Sequence, residues 1–147
     1  MKSRWHRLTQ FASSWWVPAI IIFVGGALGT ASRQAVTMAI PGSEQLLSLL
    51  LINVTGAFLL GMLLEWLQRT DALNAHLQRI RLFFGTGFLG CFTTYSTFAV
   101  TNAQLIDNGD VPKAIAYGLL TVITGFLAAA IGMAIASKIS PTEEPHS

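Results

Sequence analysis

Charged positions along the chain are bunched, and long apolar runs separate the bunches. No Asp, Glu, Lys or Arg occurs in residues 8–32, 45–64, 82–106 or 114–137, windows of 25, 20, 25 and 24 residues. About 20 helical residues cross a hydrocarbon core of about 30 Å, so the pattern predicts four transmembrane helices. Their expected spans are about 18–40, 46–67, 82–106 and 112–137. Barrel strands would alternate polar and apolar residues over about ten positions, and this chain does not. Pro18 suits a helix's first turn. Short polar stretches separate the spans: Pro41-Gly42-Ser43 as a turn, a connector holding Asp71, Asn74, His76 and Arg79, and the turn-forming Asp107-Asn108-Gly109-Asp110. The chain thus divides into a polar, interfacial N-terminal segment (1–17), a four-helix membrane domain (18–138) and a polar tail (139–147). The expected fold class is all-α integral membrane.

Composition supports this division. The 147 residues are 52% hydrophobic and 11% charged, with a mean hydropathy of +0.56, whereas a soluble domain carries about a quarter charged residues. High hydrophobicity also excludes a disordered chain. A lone Cys91 and three scattered histidines offer neither a disulfide framework nor zinc-ligand spacing. Lys2, Arg4 and Arg7 precede the first apolar run, but that run is too long for a signal-peptide core and is read as a retained helix. Trp5, Trp15 and Trp16 fall at the interfacial level favoured by indole rings. Lys2, Arg4, Arg7, Arg69, Arg79, Arg81 and Lys138 share one side, against Arg33 and Lys113 on the other. Positive-inside counting places both termini in the cytoplasm of a multi-pass protein of the cell (plasma or inner) membrane.

The four windows contain no Asp, Glu, Lys or His. Proton-coupled transport uses such groups at depth, so passive permeation or a structural role is favoured, and no enzyme chemistry is expected. Eleven of the 13 glycines lie inside the predicted helices. Gly25 and Gly29 form a GxxxG pair, and Gly118, Gly125 and Gly132 recur every seven residues, a stripe suited to close helix packing. The third window differs, because Gly85-Thr86-Gly87-Phe88-Leu89-Gly90 leads into Thr93-Thr94-Tyr95-Ser96-Thr97-Phe98. Glycine and Thr/Ser runs weaken a helix. One reading is a flexible helix with back-bonded hydroxyls; the other is a helix broken near its middle whose free carbonyls bind an ion. Asn53, mid-window in the second helix, must face protein or water and serves as interhelical glue or as a ligand. Arg33 either snorkels to the interface or draws anions to a vestibule.

Together, Gly25-Gly26-Ala27-Leu28-Gly29 with Arg33, Asn53 with Gly56 and Gly61, and Gly87-Phe88-Leu89-Gly90 before Thr93-Thr94-Tyr95-Ser96-Thr97-Phe98 resemble the CrcB/Fluc fluoride channels. The resemblance spans roughly residues 20–137. It implies an antiparallel, dual-topology dimer of four-helix subunits with two fluoride pores at the interface. Backbone carbonyls of Gly90 and Thr93 from both subunits would hold a structural sodium ion, as oxygen-only ligation suits a hard cation. Asn53 would donate its amide to fluoride, and Tyr95 and Phe98 would present electropositive ring edges. Thr94 and Ser96 would belong to the pore, Tyr117 and Thr121 would continue a hydrogen-bonding track, and Arg33 would sit in the vestibule. Such a lining replaces the water of a small, strongly hydrated anion without a fixed charge that would hold it. Fluoride that enters as HF and dissociates inside leaves passively down its gradient.

Four positions depart from the family's usual pattern: Tyr95 for Phe, Thr101 for Glu, Leu49 for a polar residue and Gly125 for a hydroxyl, with Thr124 adjacent to the last. The Tyr95 hydroxyl either donates to fluoride or narrows the pore. The one-sided charge bias leaves two assemblies open, a homodimer or a pairing with a homologous subunit. A small-molecule exporter of similar fold is the third reading. Membrane lipid and fluoride are the expected partners, and nucleic acid is not.

Overall fold

The computed structural model describes residues 16–40, 45–70 and 74–139, and it is all-helical there. The turn expected at Pro41-Gly42-Ser43, the indoles of Trp5 and Trp15, Lys2, Arg4, Arg7, Asp71 and the tail beyond Ile139 lie outside the described residues. Three long helices match three of the apolar windows. They are α1 (Trp16–Ala39), α2 (Gln45–Arg69) and, last in the chain, α6 (Val111–Ile139). Each is long and apolar enough to cross a membrane. At 1.5 Å per residue they measure about 36, 38 and 44 Å. Glu65 and Arg69 close α2 with an ion pair one turn apart, 2.6 Å between Oε1 and Nε.

The third window, for which a break near the middle is one of the two readings, is a bent stretch running from 75 to 107, and it does break, at Thr93 and Thr94. It consists of α3 (Ala75–Ile80), a nine-residue π-helix (Arg81–Leu89), a single turn α4 (Gly90–Phe92) and α5 (Tyr95–Asp107). Thr93 (ψ 156°) and Thr94 (φ −146°, ψ 115°) are extended and separate α4 from α5. The connector expected around Asn74, His76 and Arg79 is therefore shorter than the charges suggested. Asn74 caps α3, its side-chain oxygen accepting from the His76 amide at 2.9 Å, so helix begins among charged residues before the apolar window opens. The Asp107-Asn108-Gly109-Asp110 turn forms as expected, with Gly109 at φ 80° taking the left-handed conformation that links α5 to α6.

Two glycine seams hold these elements together. A Cβ on Gly25 or Gly29 of α1 would run into the carbonyl oxygens of Phe83 and Phe88, and one on Gly87 would lie 2.8 Å from the Ile22 carbonyl. The first seam thus joins α1 to the π-helix at backbone contact. In the second, Gly61 of α2 faces the Ala129 carbonyl, and Gly132 of α6 faces that of Phe58. The expected glycine stripe of α6 is only partly a packing stripe. Gly132 is enclosed, whereas a side chain at Gly125 would meet nothing within 4 Å. The buried interior is small, centred on Ser48, Leu49, Ile52, Leu89 and Tyr117, and large apolar side chains such as Phe23, Val122 and Phe126 face outward. An apolar exterior over a small core is what hydrocarbon surroundings select.

Candidate functional site

The break in the bent stretch is built by one side chain of α2. In a continuous helix the Thr94 amide would donate to the carbonyl four residues back, that of Gly90. It donates instead to Asn53 Oδ1 at 3.0 Å, and Asn53 Nδ2 returns a longer bond of 3.4 Å to the Thr94 carbonyl. The Thr97 amide, which would close on Thr93, is likewise diverted, to Thr94 Oγ1 at 3.1 Å. Thr94 is thus the N-cap of α5, satisfying one of the amides a helix start leaves open. Both carbonyls expected to face an ion, Gly90 and Thr93, have lost the helical amide that would otherwise occupy them. Gly56 makes room for the break: its missing side chain leaves the space that the Thr93 methyl fills.

Beside the break lies a cleft of about 390 Å³ between α2, α5 and α6. Asn53, Thr93, Thr94, Tyr95, Phe98 and Thr121 all line it. Asn53 is eight residues into α2 and Thr121 ten into α6, so the cleft sits about 12–15 Å from the helix ends, close to mid-depth for a hydrocarbon core. Among the described residues, no Asp, Glu, Lys, Arg or His lines it. Gly125 forms part of the wall, leaving open space where a side chain would reach inward. Thr124 turns away, its hydroxyl bonding back to the Leu120 carbonyl at 2.6 Å.

Three aromatic rings run through the wall. Tyr95 and Phe98 have centroids 6.1 Å apart, and Phe98 and Tyr117 5.7 Å. The outer ring, Tyr95, is 81% exposed; Tyr117 is 6% exposed, and its buried hydroxyl has no hydrogen-bond partner among the described residues. Tyr117 stands one layer behind the cleft rather than in it. Ser96 is exposed, with Oγ 3.3 Å from Thr94 Oγ1. Gly90 lies outside the cleft wall on an exposed turn. Arg33 is not part of this cleft; it is half-buried late in α1, its carbonyl accepting from the Thr37 hydroxyl at 3.0 Å. Leu49 and Thr101, two of the departures from the expected pattern, are buried and likewise lie away from the cleft.

Two contributors escaped the sequence reading. Thr97 receives the Thr94 hydroxyl at 2.9 Å in addition to its capped amide; a Thr immediately before a helical run is a recognisable cap signal. Asn102 Nδ2 bonds the Phe98 carbonyl at 2.9 Å, and an amide inside an apolar window is the same signal that singled out Asn53.

The chain is similar to known proteins over most of its length. Residues 20–133 match the family model described as CrcB-like protein, Camphor Resistance (CrcB). A fluoride-specific ion channel FluC 2 from Leifsonia xyli subsp. xyli is 43% identical over 122 residues, covering 82% of this chain and 83% of its own. A fluoride-specific ion channel FluC from Hydrogenobaculum sp. is 41% identical over 117 residues, 77% of this chain and 92% of its own. Another FluC, from Francisella philomiragia, is 37% identical over 116 residues, 77% and 89% respectively.

Proposed function

The chain belongs to the CrcB-like family and is a multi-pass membrane protein; on that premise we propose that it forms a passive fluoride-selective channel that exports cytoplasmic fluoride. The observation that carries the reading is the broken helix at mid-depth. Its second half, α5, opens its N-terminus at the cleft, where unpaired amides and the positive end of the helix dipole favour an anion. Its first half ends in carbonyls freed from helical bonding, which favour a cation. Anion and cation sites at one break are what a fluoride pore beside a structural sodium ion requires.

The bent stretch is the fourth crossing of the membrane, and the functional unit is an antiparallel dimer with two pores at its interface. Exposure of the Tyr95 phenol supports a covering partner, because polar groups turned to hydrocarbon are costly. The donor set fits sodium: Gly90 and Thr93 offer uncharged oxygens, suited to a hard cation. A bound sodium would supply positive charge at the interface, fixing the two breaks together. Asn53, Tyr95, Phe98, Thr121 and the Thr94–Ser96 hydroxyls form the pore, with Tyr117 behind them and Arg33 in the vestibule.

Fluoride efflux from liposomes containing only this protein, with potassium and valinomycin carrying the counter-current, tests the reading. Sustained efflux without a proton gradient is expected. Silence that a homologous subunit relieves would make this chain half of a heterodimer, the assembly suggested by its one-sided positive charge. Efflux that requires a proton gradient would favour a coupled exporter.

A further inference from the structure

The hydroxyl protons of the cleft are mostly directed into the protein. A hydroxyl has one proton to donate. Thr93 gives its proton to the Leu89 carbonyl at 2.9 Å, Thr94 to Thr97 Oγ1 at 2.9 Å, and Thr121 to the Tyr117 carbonyl at 2.8 Å. These three groups therefore turn lone pairs, not protons, toward the cleft. Asn53 places one of its two amide protons on Thr94. The Tyr95 phenol is the exception, since it has no hydrogen-bond partner among the described residues. It lines the cleft at mid-depth on an 81%-exposed side chain, where a hydroxyl without a partner is costly.

We propose that the Tyr95 phenol is the principal hydroxyl donor to the anion in this cleft, so that it acts on fluoride through its proton and not only through its ring edge. The inference rests on the channel reading above and specifies one group within it. An anion crossing a wall of lone pairs needs a proton facing it, and hydrogen bonds to charged partners are the strong ones. On the α6 wall Gly125 carries no hydroxyl, and the Thr121 hydroxyl gives its proton to its own helix.

Tyr95→Phe removes one oxygen and keeps the ring, and Tyr95→Leu removes both. Fluoride efflux is measured in proteoliposomes and expressed per assembled dimer. Tyr95→Phe is expected to be about tenfold slower than the unsubstituted protein, with Tyr95→Leu slower still. A Tyr95→Phe rate equal to the unsubstituted one, with loss only in Tyr95→Leu, would overturn the proposal in favour of the ring. Equal flux with weaker dimerisation would also overturn it, assigning the phenol to the partner surface. If Tyr95→Phe does not fold, 3-fluorotyrosine at position 95 retains the size and strengthens the donor. It should lower the half-saturating fluoride concentration, and an unchanged value counts against the donor. No efflux from the unsubstituted protein, either alone or with a homologous subunit, would instead remove the channel reading on which all of this stands.

Discussion

Replacing Asn53 with alanine removes both bonds to Thr94 at once. The Thr94 amide can then return to Gly90, closing the helix over the carbonyl that the break had freed. The expected result is loss of fluoride efflux by more than tenfold and a destabilisation of about 1–3 kcal/mol, read from thermal unfolding in detergent. Asn53→Asp keeps an acceptor for the Thr94 amide but loses the donor to its carbonyl. It should unfold later than Asn53→Ala while still conducting poorly, because it adds negative charge beside an anion path. At this scale the sequence was partly legible. An amide inside an apolar window announced a function, yet glue and ligand could not be separated by residue type. The structure shows the glue role through two bonds to Thr94, with the second amide proton unbonded among the described residues. The direction of the threonine hydroxyls was not legible at all. It depends on which carbonyl each side chain reaches, and residue type alone does not give that.

The same limit governs the helices. The spans drawn from the charge-free windows together with Pro18 and the flanking turn residues match α1, α2 and α6 to within about two residues, because long apolar runs leave little choice of structure in hydrocarbon. They failed at the start of the bent stretch, since α3 is helical despite His76 and Arg79. They also gave no hint of the π-helix, whose hydrophobic pattern is that of any apolar helix. Glycine spacing was legible as packing but not as a choice of partner. Gly29→Val should break the seam between α1 and the π-helix, since the clash is with backbone that cannot move aside. Aggregation on size-exclusion chromatography, or unfolding at least about 1–3 kcal/mol easier, is expected. Gly125→Ala meets open space and should leave thermal unfolding within a few degrees of the original. Thr94→Ala removes the cap of α5 and should lower stability by about 1 kcal/mol.

Across the whole molecule, 147 residues gave too little charge for water and too few helices for a large transporter. The structure makes the second half of that arithmetic concrete, because the cleft has walls from α2, α5 and α6 and an aromatic rim left bare. Exchanging sodium for N-methylglucamine during purification should weaken the dimer, seen as a monomer shoulder on chromatography, if the Gly90 and Thr93 carbonyls hold the ion. The proposed assembly, in which one chain supplies only half of each site, has a consequence for timing and dosage. If the proposed dimer is the channel, a newly inserted copy is inert, and the membrane is not breached while chains are still searching for each other. Activity should then rise with the square of protein density when copies are sparse and become linear once pairing saturates. Counting the fraction of silent vesicles as the protein-to-lipid ratio falls would reveal that curvature. A cell carrying half the usual number of chains would fall below half the export capacity.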